Sequence, residues 1–320
     1  MGLPQVCKIG AVVSYELYQG DAIEVMRTLP ANSVQCCVTS PPYFGLRDYG
    51  HDGQIGLENT PDAYIAKLVE VFREVRRVLR DDGVLWLNLG DSYGHGTKAT
   101  RQQSRTSDKV SERQHEAQGG RHGGEAKQLL GIPWRVAFAL QADGYILRSE
   151  IIWHKRAPMP ESVTDRPTKA HEQVFLLTKS AQYFYDAEAI AEPANYRVIA
   201  QGQLGAVGVT GRNDAPAIGV SHSVKDDNAT RNRRSVWTLG PESYAGAHFA
   251  VMPTKLVEPC ILAGSRIGDT VLDPFSGSGT TLAVARKHGR NAIGIDLSAA
   301  YNEMAHRRIA ETQPLLLGGL

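Results

Sequence analysis

The chain has 320 residues, 42% of them apolar, and a formal charge of +1. That is enough apolar material for one large α/β domain or two smaller ones. The near-zero charge excludes a global basic field, so any surface for a polyanion must be a local cluster of Arg and Lys. No apolar run reaches the roughly 18 residues of a membrane span. Met1 to Val6 lacks a charged start followed by a long apolar stretch, so no secretory leader is expected. The cysteines Cys7, Cys36, Cys37 and Cys260 include no CxxC pair, which argues for reduced, structural thiols without zinc in a cytoplasmic protein.

Leu17-Tyr18 reads as a short strand that ends at Gly20-Asp21, and a helix from Ala22 to about Leu29 stops at Pro30. Val34 to Val38 is a short buried strand that delivers Ser40 to its carboxyl end, the edge at which open α/β sheets bind ligands. Thr60-Pro61 gives an N-cap followed by proline at the first helical position. Ile65, Leu68, Phe72, Val75 and Leu79 then recur at helical spacing up to Arg80. Asp81-Asp82-Gly83 is expected to break that helix, and Val84 to Leu89 to be the next buried strand.

Gly94 to Lys127 has almost no apolar residues and carries seven Lys and Arg against four Asp and Glu. It reads as a mobile surface insertion, or as a loop facing a nucleic-acid-like polyanion that orders on binding; the two are compatible. Pro133 to Leu140 reads as helix. Tyr145 to Trp153 and Gln173 to Thr178 read as a hairpin-like strand pair at one edge of the sheet. Ala194 to Arg234 is irregular and ends in a basic cluster, Arg231, Arg233 and Arg234. Pro253-Thr254-Lys255 opens a helix through Leu262. Thr270 to Leu272 is a strand, Thr280 to His288 a helix, Ala292 to Ile295 a strand and Ala299 to Glu311 a closing helix. No role is readable in the tail from Leu315 to Leu320. Strands alternating with helices make a mostly parallel sheet the expected architecture.

Two segments carry chemistry. Thr39-Ser40-Pro41-Pro42-Tyr43-Phe44 is a rigid turn that presents one hydroxyl and an aromatic pair. Asp273-Pro274-Phe275-Ser276-Gly277-Ser278-Gly279-Thr280-Thr281 is a glycine turn entering a helix. It is not a Walker A loop, because no Lys follows Gly279, and it lacks the full GxGxxG fingerprint. Its context is informative. Asp296 ends the following strand about 20 residues on, where a carboxylate can accept both hydroxyls of a ribose. Phe275 adds an aromatic face beside that turn.

In this order the two segments resemble the amino-methylating DNA methyltransferases of the permuted, beta class, in which the catalytic motif precedes the cofactor motif. The serine at position 40 resembles the N4-cytosine subgroup. Ile152-Trp153-His154-Lys155, Pro160, Asp165-Arg166 and His171-Glu172 to Lys179 resemble a further tract of the serine-type enzymes, with Trp153 also read as core packing and Asp165-Arg166 as a structural ion pair. The resemblance implies a Rossmann-like class I methyltransferase fold in α/β class, with circularly permuted motif order and an inserted DNA-recognition region. It implies a catalytic part over 1–193, a target-recognition region over 194–235 and a cofactor part over 236–320 of the same domain. It implies S-adenosyl-L-methionine as cofactor, held by Asp273, Pro274, Phe275, Ser276, Gly277, Ser278, Gly279, Thr280 and Asp296. Gly20-Asp21 resembles the family's N-terminal cofactor contact, which would bring Asp21 to the adenine, although a helix N-cap is the competing role. His248 to Leu256 resembles the segment that closes over the methionine end, with Thr254 and Lys255 as donors and Met252 where an aromatic is usual. The implied partner is double-stranded DNA, with or without a cognate restriction endonuclease, in a prokaryotic or phage-encoded protein.

An exocyclic amine is a poor nucleophile, because its lone pair is delocalised into the ring. The Ser40 hydroxyl and the Pro41 carbonyl are two acceptors able to hold it with that lone pair aimed at a methyl donor, and Pro41-Pro42 fixes them in advance. Tyr43 offers a stacking face for a flipped-out base, with Phe44 as support. Phenylalanine at 43 keeps the ring, so its effect is expected to be much milder than that of alanine. Arg231, Arg233 and Arg234 are the candidate DNA contacts. Cytosine C5 methylation would need a cysteine nucleophile, and Pro259-Cys260 falls within an apparent helix. N6-adenine methylation is the close alternative, and a non-catalytic DNA-binding module on the same fold is a further one.

Overall fold

The computed structural model describes residues 5–9, 13–46, 48, 50–51, 53–94, 125–194, 196–199, 222–225, 228–240, 242 and 251–315. Most of the polar insertion, much of the expected recognition region, His248 to Ala250 and the tail after 315 lie outside them.

The described chain divides into two compact units, residues 1–186 with 235–320, and residues 187–234. The first is built on nine strands: β1 (Gln5–Ile9), β2 (Val13–Gln19), β3 (Val34–Thr39), β4 (Leu79–Leu89), β5 (Ile146–Lys155), β6 (His171–Thr178), β11 (Val236–Leu239), β12 (Thr270–Asp273) and β13 (Asn291–Asp296). They form one sheet in the order β1-β2-β13-β12-β3-β4-β6-β5-β11. Seven run in one direction; β1 and β6 oppose their neighbours. The mixed, mostly parallel α/β sheet expected from the sequence is therefore present.

Helices α1 (Ala22–Thr28), α2 (Pro61–Val78) and α3 (Ile132–Ala142) cover one face, and α4 (Thr254–Gly264), α5 (Thr280–Lys287) and α6 (Ala299–Glu311) form a second group. Strands buried on both faces must be apolar along their whole length. In β4, Leu85, Leu87 and Leu89 join the core under α1–α3, while Val84 and Trp86 face Gly264 of α4. Cys37 and Cys36 divide in the same way. Cys36, Cys37 and Cys260 are buried and join no disulfide among the described residues. Cys260 sits inside α4 and donates its thiol to the Leu256 carbonyl, as suits a packing residue and not a nucleophile. Thr60 caps α2, its Oγ accepting the Ala63 N–H. Among the described residues no helix is long and apolar enough to cross a membrane.

Four expectations are corrected. Helix α2 ends at Val78, and Asp81-Asp82-Gly83 lies within β4, whose pairing with β3 shifts register between Val34 and Cys36. The β5–β6 pair is antiparallel as expected, but the sheet edge is β11, a four-residue strand parallel to β5 and anchored by Trp237 against Trp86. Too short to show a period, it left no mark in the hydropathy pattern. β1 also lay beyond the sequence reading, and β2 starts at Val13, well before Leu17.

The fourth correction is Phe44. It is 1% exposed and packs on the Tyr64 ring at 5.5 Å, within the core beneath the Ser40 turn. It cannot stack on a base. Replacing Phe44 with Ala should destabilise the fold by about 3–5 kcal/mol, the cost of emptying a buried aromatic site. Urea unfolding should detect this as a lower midpoint at unchanged slope, while a side chain at a DNA surface would leave the midpoint in place.

In the second unit, β7 (Glu192–Pro193) pairs with β10 (Thr230–Arg231), and β8 (Tyr196–Ile199) with β9 (His222–Lys225), both antiparallel.

Candidate active site

Because β2, β3, β4, β5, β12 and β13 are co-directional, their carboxyl ends share one edge, and β6 begins there. Chain connections leave β3 toward β4 and β12 toward β13, on opposite sides. The gap between β3 and β12 is thus a switch point, where open α/β sheets form a crevice. A cleft of about 460 Å³ lies at this edge, lined among others by Asp21, Ser40, Tyr43, Asn88, Asp273 and Asp296. Both chemistry-bearing segments therefore face one continuous space.

At the β12 end, Asp273 is 3% exposed and accepts the Thr39 hydroxyl at 2.7 Å and the Phe275 N–H at 3.1 Å. Burial pushes its carboxyl up to about 6; the Thr39 and Thr281 hydroxyls and the Phe275 N–H pull it back, and the Asp296 charge adds to the rise. Asp296 accepts the Gly277 N–H at 3.0 Å through one oxygen and the Ser298 N–H at 2.8 Å through the other. It is not the N-cap of α6; Ser298 is. Burial raises its carboxyl also, opposed by those two N–H donors and by His51.

Gly277 (φ +48°) lines the cleft, and a side chain there would meet no protein atom within 4 Å. The glycine leaves ligand space open. Gly279 (φ +77°) serves packing instead, since a Cβ would come within 2.8 Å of the Ala305 Cβ on α6. Arg308 of α6 donates to Ser278 and Thr280, tying down the loop. Pro274, Phe275, Ser276, Ser278 and Thr280 also line the cleft. Asp21, Asp273 and Asp296, an open glycine turn, Phe275 and Tyr301 fit a cationic, partly aromatic ligand of the S-adenosyl-L-methionine kind.

Asp21 lines the same cleft and also caps α1, its Oδ1 accepting from Ile23 and Glu24. Thr254 and Lys255 are not brought to the cleft lining. The Thr254 hydroxyl and N–H both go to Glu242, and Lys255 is exposed. Val251 and Met252 line the cleft instead.

At the β3 end, Ser40 Oγ lies 3.2 Å from the Tyr43 hydroxyl, which donates to Glu172 Oε2 at 2.7 Å. Asn88 Nδ2 reaches Ser40 Oγ (3.3 Å), Tyr43 Oη (2.8 Å) and Glu172 Oε2 (3.0 Å). Lys155, lying over the Trp153 ring, holds the other Glu172 oxygen. The Tyr43 ring packs on Gly90, where a Cβ would come within 2.5 Å of it. Burial, then the Glu172 charge, raise the phenol well above its ordinary value, so Tyr43 is a neutral donor. Its hydroxyl is fully engaged. Phenylalanine at 43 keeps the ring but loses this donor, leaving Glu172 Oε2 with Asn88; a hydrogen bond to a charged group is typically worth about 1.5–3 kcal/mol.

The chain matches the DNA methylase family model N6_N4_Mtase over residues 34–307. It belongs to the N6/N4 DNA methylase family. It is 45% identical over 295 residues to the Type II methyltransferase M.Cfr9I of Citrobacter freundii, covering 92% of this chain and 87% of that protein. It is likewise 45% identical over 300 residues to the Type II methyltransferase M.SmaI of Serratia marcescens, covering 92% and 91%. Among solved structures it resembles the PvuII DNA methyltransferase (cytosine-N4-specific), with a TM-score of 0.63, 17% identity and 93% and 87% of the two chains covered. It also resembles TTHA0409 of Thermus thermophilus complexed with S-adenosyl-L-methionine, with a TM-score of 0.56, 23% identity and 92% and 95% covered. At these identities the two structures report on fold: a Rossmann-like methyltransferase fold.

Within this methylase, the sequence reading missed Asn88 and gave no role to Lys155 or Glu172. The available signal was a lone amide in an otherwise apolar strand, and a carboxylate opening β6. Arg231 and Arg234 each donate to Glu192 within the second unit. Their side chains are exposed all the same.

The Asp273 carboxyl gives a pH signature. Its folded value, about 6, lies above the ordinary 3.8, so the folded methylase binds the proton more tightly. Stability should therefore fall as pH rises from about 4 to 6, by up to ~1.4 kcal/mol per unit. Asp273→Asn keeps the Thr39 bond and should abolish this component in urea unfolding across that range.

Proposed function

We propose that the chain is a site-specific, Type II DNA methyltransferase that moves a methyl group from S-adenosyl-L-methionine to the exocyclic N4 amine of a cytosine flipped out of double-stranded DNA. The observation that carries this reading is the Ser40-Pro41-Pro42-Tyr43 turn opening into the same cleft as Asp273 to Thr280 and Asp296. When bound, the cofactor supplies an electrophilic methyl on sulfur. Asp296 and Asp21 suit its ribose and adenine end, and Gly277 leaves room for it. Ser40 Oγ and the Pro41 carbonyl serve as the two acceptors for the amine. Tyr43 presents the cleft-facing part of its ring to the base, while Gly90 backs the ring and Glu172 holds its hydroxyl. Motif order along the chain, with the Ser40 turn ahead of the glycine loop, supports the permuted beta class.

Division of labour follows the expected segments: a catalytic part over 1–193, target recognition over 194–235 and a cofactor part over 236–320. A cognate restriction endonuclease is a natural partner for a relative of Type II methyltransferases.

The test is methyl transfer to duplex DNA followed by nucleoside mass spectrometry. Parent protein should yield N4-methylcytosine, and exclusive N6-methyladenine would reassign the acceptor. Ser40→Ala should keep cofactor affinity and lose turnover. Tyr43→Ala should lose both base capture and rate, because a stacking face is worth about 1–3 kcal/mol. Full activity in Tyr43→Ala would exclude this turn as the acceptor site.

For DNA binding, replacing Arg231, Arg233 and Arg234 together should weaken duplex affinity. It should also flatten the salt dependence, by about 0.9 in slope for each phosphate no longer neutralised. Calorimetric affinity for the cofactor should stay as in the parent. An unchanged salt slope would move the DNA-binding surface elsewhere.

A further inference from the structure

The network behind Ser40 has a direction, and the direction is set by Glu172. A carboxylate accepts hydrogen bonds and cannot donate them. The Tyr43 proton is therefore committed to Glu172 Oε2, 2.7 Å away. With its proton so placed, the Tyr43 oxygen can only accept from its other neighbours, Ser40 at 3.2 Å and Asn88 at 2.8 Å. Ser40 must then donate inward, which leaves its lone pairs for a ligand in the cleft, one of them partly occupied by Asn88 at 3.3 Å. Lys155 of β5 donates to the other Glu172 oxygen. Lys169 ahead of β6, with Asp91 beyond β4 and Glu161 around it, is a further charged group near the pair among the described residues. With Glu172 neutral, nothing would stop Ser40 from pointing its proton at the substrate, where an amine also presents protons.

We propose that Glu172 is the positioning residue that makes Ser40 an acceptor, and that it receives the proton released by the amine through Ser40 and Tyr43. This rests on the acceptor site proposed above. The amine nitrogen forms its bond to the methyl carbon as the sulfur–methyl bond breaks, the sulfur keeping that electron pair. The nitrogen is then positive and carries two protons. One passes to Ser40 Oγ as the Ser40 proton moves to Tyr43 Oη and the Tyr43 proton to Glu172 Oε2. The products are a neutral methylamino base, a neutral thioether and a protonated Glu172, which lines the cleft and returns its proton to water. Neither Ser40 nor Tyr43 changes its net protonation, which suits a phenol that stays neutral.

The decisive variant is Glu172→Gln, which keeps the length of the side chain and removes its capacity to take a proton. In single-turnover methyl transfer with the full-length protein, S-adenosyl-L-methionine and cognate duplex, the rate should fall about 100-fold or more, within the range of general-base effects. Calorimetric cofactor affinity should stay within about twofold. A general base acts only when ionised, so the parent's rate should rise with pH, and that limb should be absent in the variant. Tyr43→Phe cuts the chain at its middle, so the double variant should be no slower than the slower single one. A parental rate and pH profile in Glu172→Gln would overturn the proposal. So would fully additive losses in the double variant, which also decides the matter should Glu172→Gln alone prove poorly folded, because Glu172→Asp can then replace it in the cycle. The outcome is separable from the acceptor reading. Full activity in Ser40→Ala would remove the site itself, whereas a product of N6-methyladenine would leave the role of Glu172 intact, since either amine must lose a proton.

Discussion

The site depends on the pairing of β3 with β12. Their register sets Cys36 against Val271 and Cys37 against Leu272, which brings Thr39 beside Asp273. The 2.7 Å hydrogen bond between those two side chains is buried and joins residues 234 positions apart. A slip of one residue would exchange the faces of both strands, burying polar groups and exposing Cys37 and Leu272 to the wrong helix layer. With the register held, the Ser40 turn and the glycine loop emerge side by side, and the space between them is the cleft. The acceptor half and the cofactor half are thus brought together by a constraint in the sheet, and the loops inherit it.

The cleft is built from carboxylates in unlike settings. Asp273 is pushed up by burial and held by hydroxyls, Asp296 holds two main-chain N–H groups, and Glu172 is paired with Lys155. Unlike settings give like groups separate tasks. Asp273 and Asp296 fix the shape of the glycine turn and lend negative potential to a site suited to a sulfonium. Glu172 lies among donors, Tyr43, Asn88 and Lys155, and polarises a chain of hydroxyls that ends on Ser40. The rigidity of Pro41-Pro42 and the packing of Tyr43 on Gly90 keep that chain in place before any ligand arrives.

The sheet unit holds both chemistry-bearing segments, and its central strands, β3 and β4 from Val84 on, are buried along their length, so their composition is narrowly set. The unit of residues 187–234 is two short antiparallel ladders, with arginines gathered at one of them around Glu192. Short ladders tolerate changes in length and sequence.

By itself the sequence determined the α/β class, most strands and helices of the sheet unit, and both motifs. Each of these is local: a helical period in Ile65 to Leu79, a capped start at Thr60-Pro61, a proline-locked turn, a glycine turn before a helix. Tertiary structure alone decided which polar groups meet. Asn88 looked like one polar residue in an apolar strand, and Glu172 like the first residue of another; only the order β3-β4-β6-β5 sets them, with Lys155, behind Ser40 and Tyr43. Phe44 beside Tyr43 looked like a second exposed ring until the fold buried it under the turn. Thr254 and Lys255 looked like ligand donors until Glu242 took up the hydroxyl and N–H of the first. Strand order, register and side-chain facing are long-range properties, decided by which surfaces exclude water together, and a linear pattern carries no term for them.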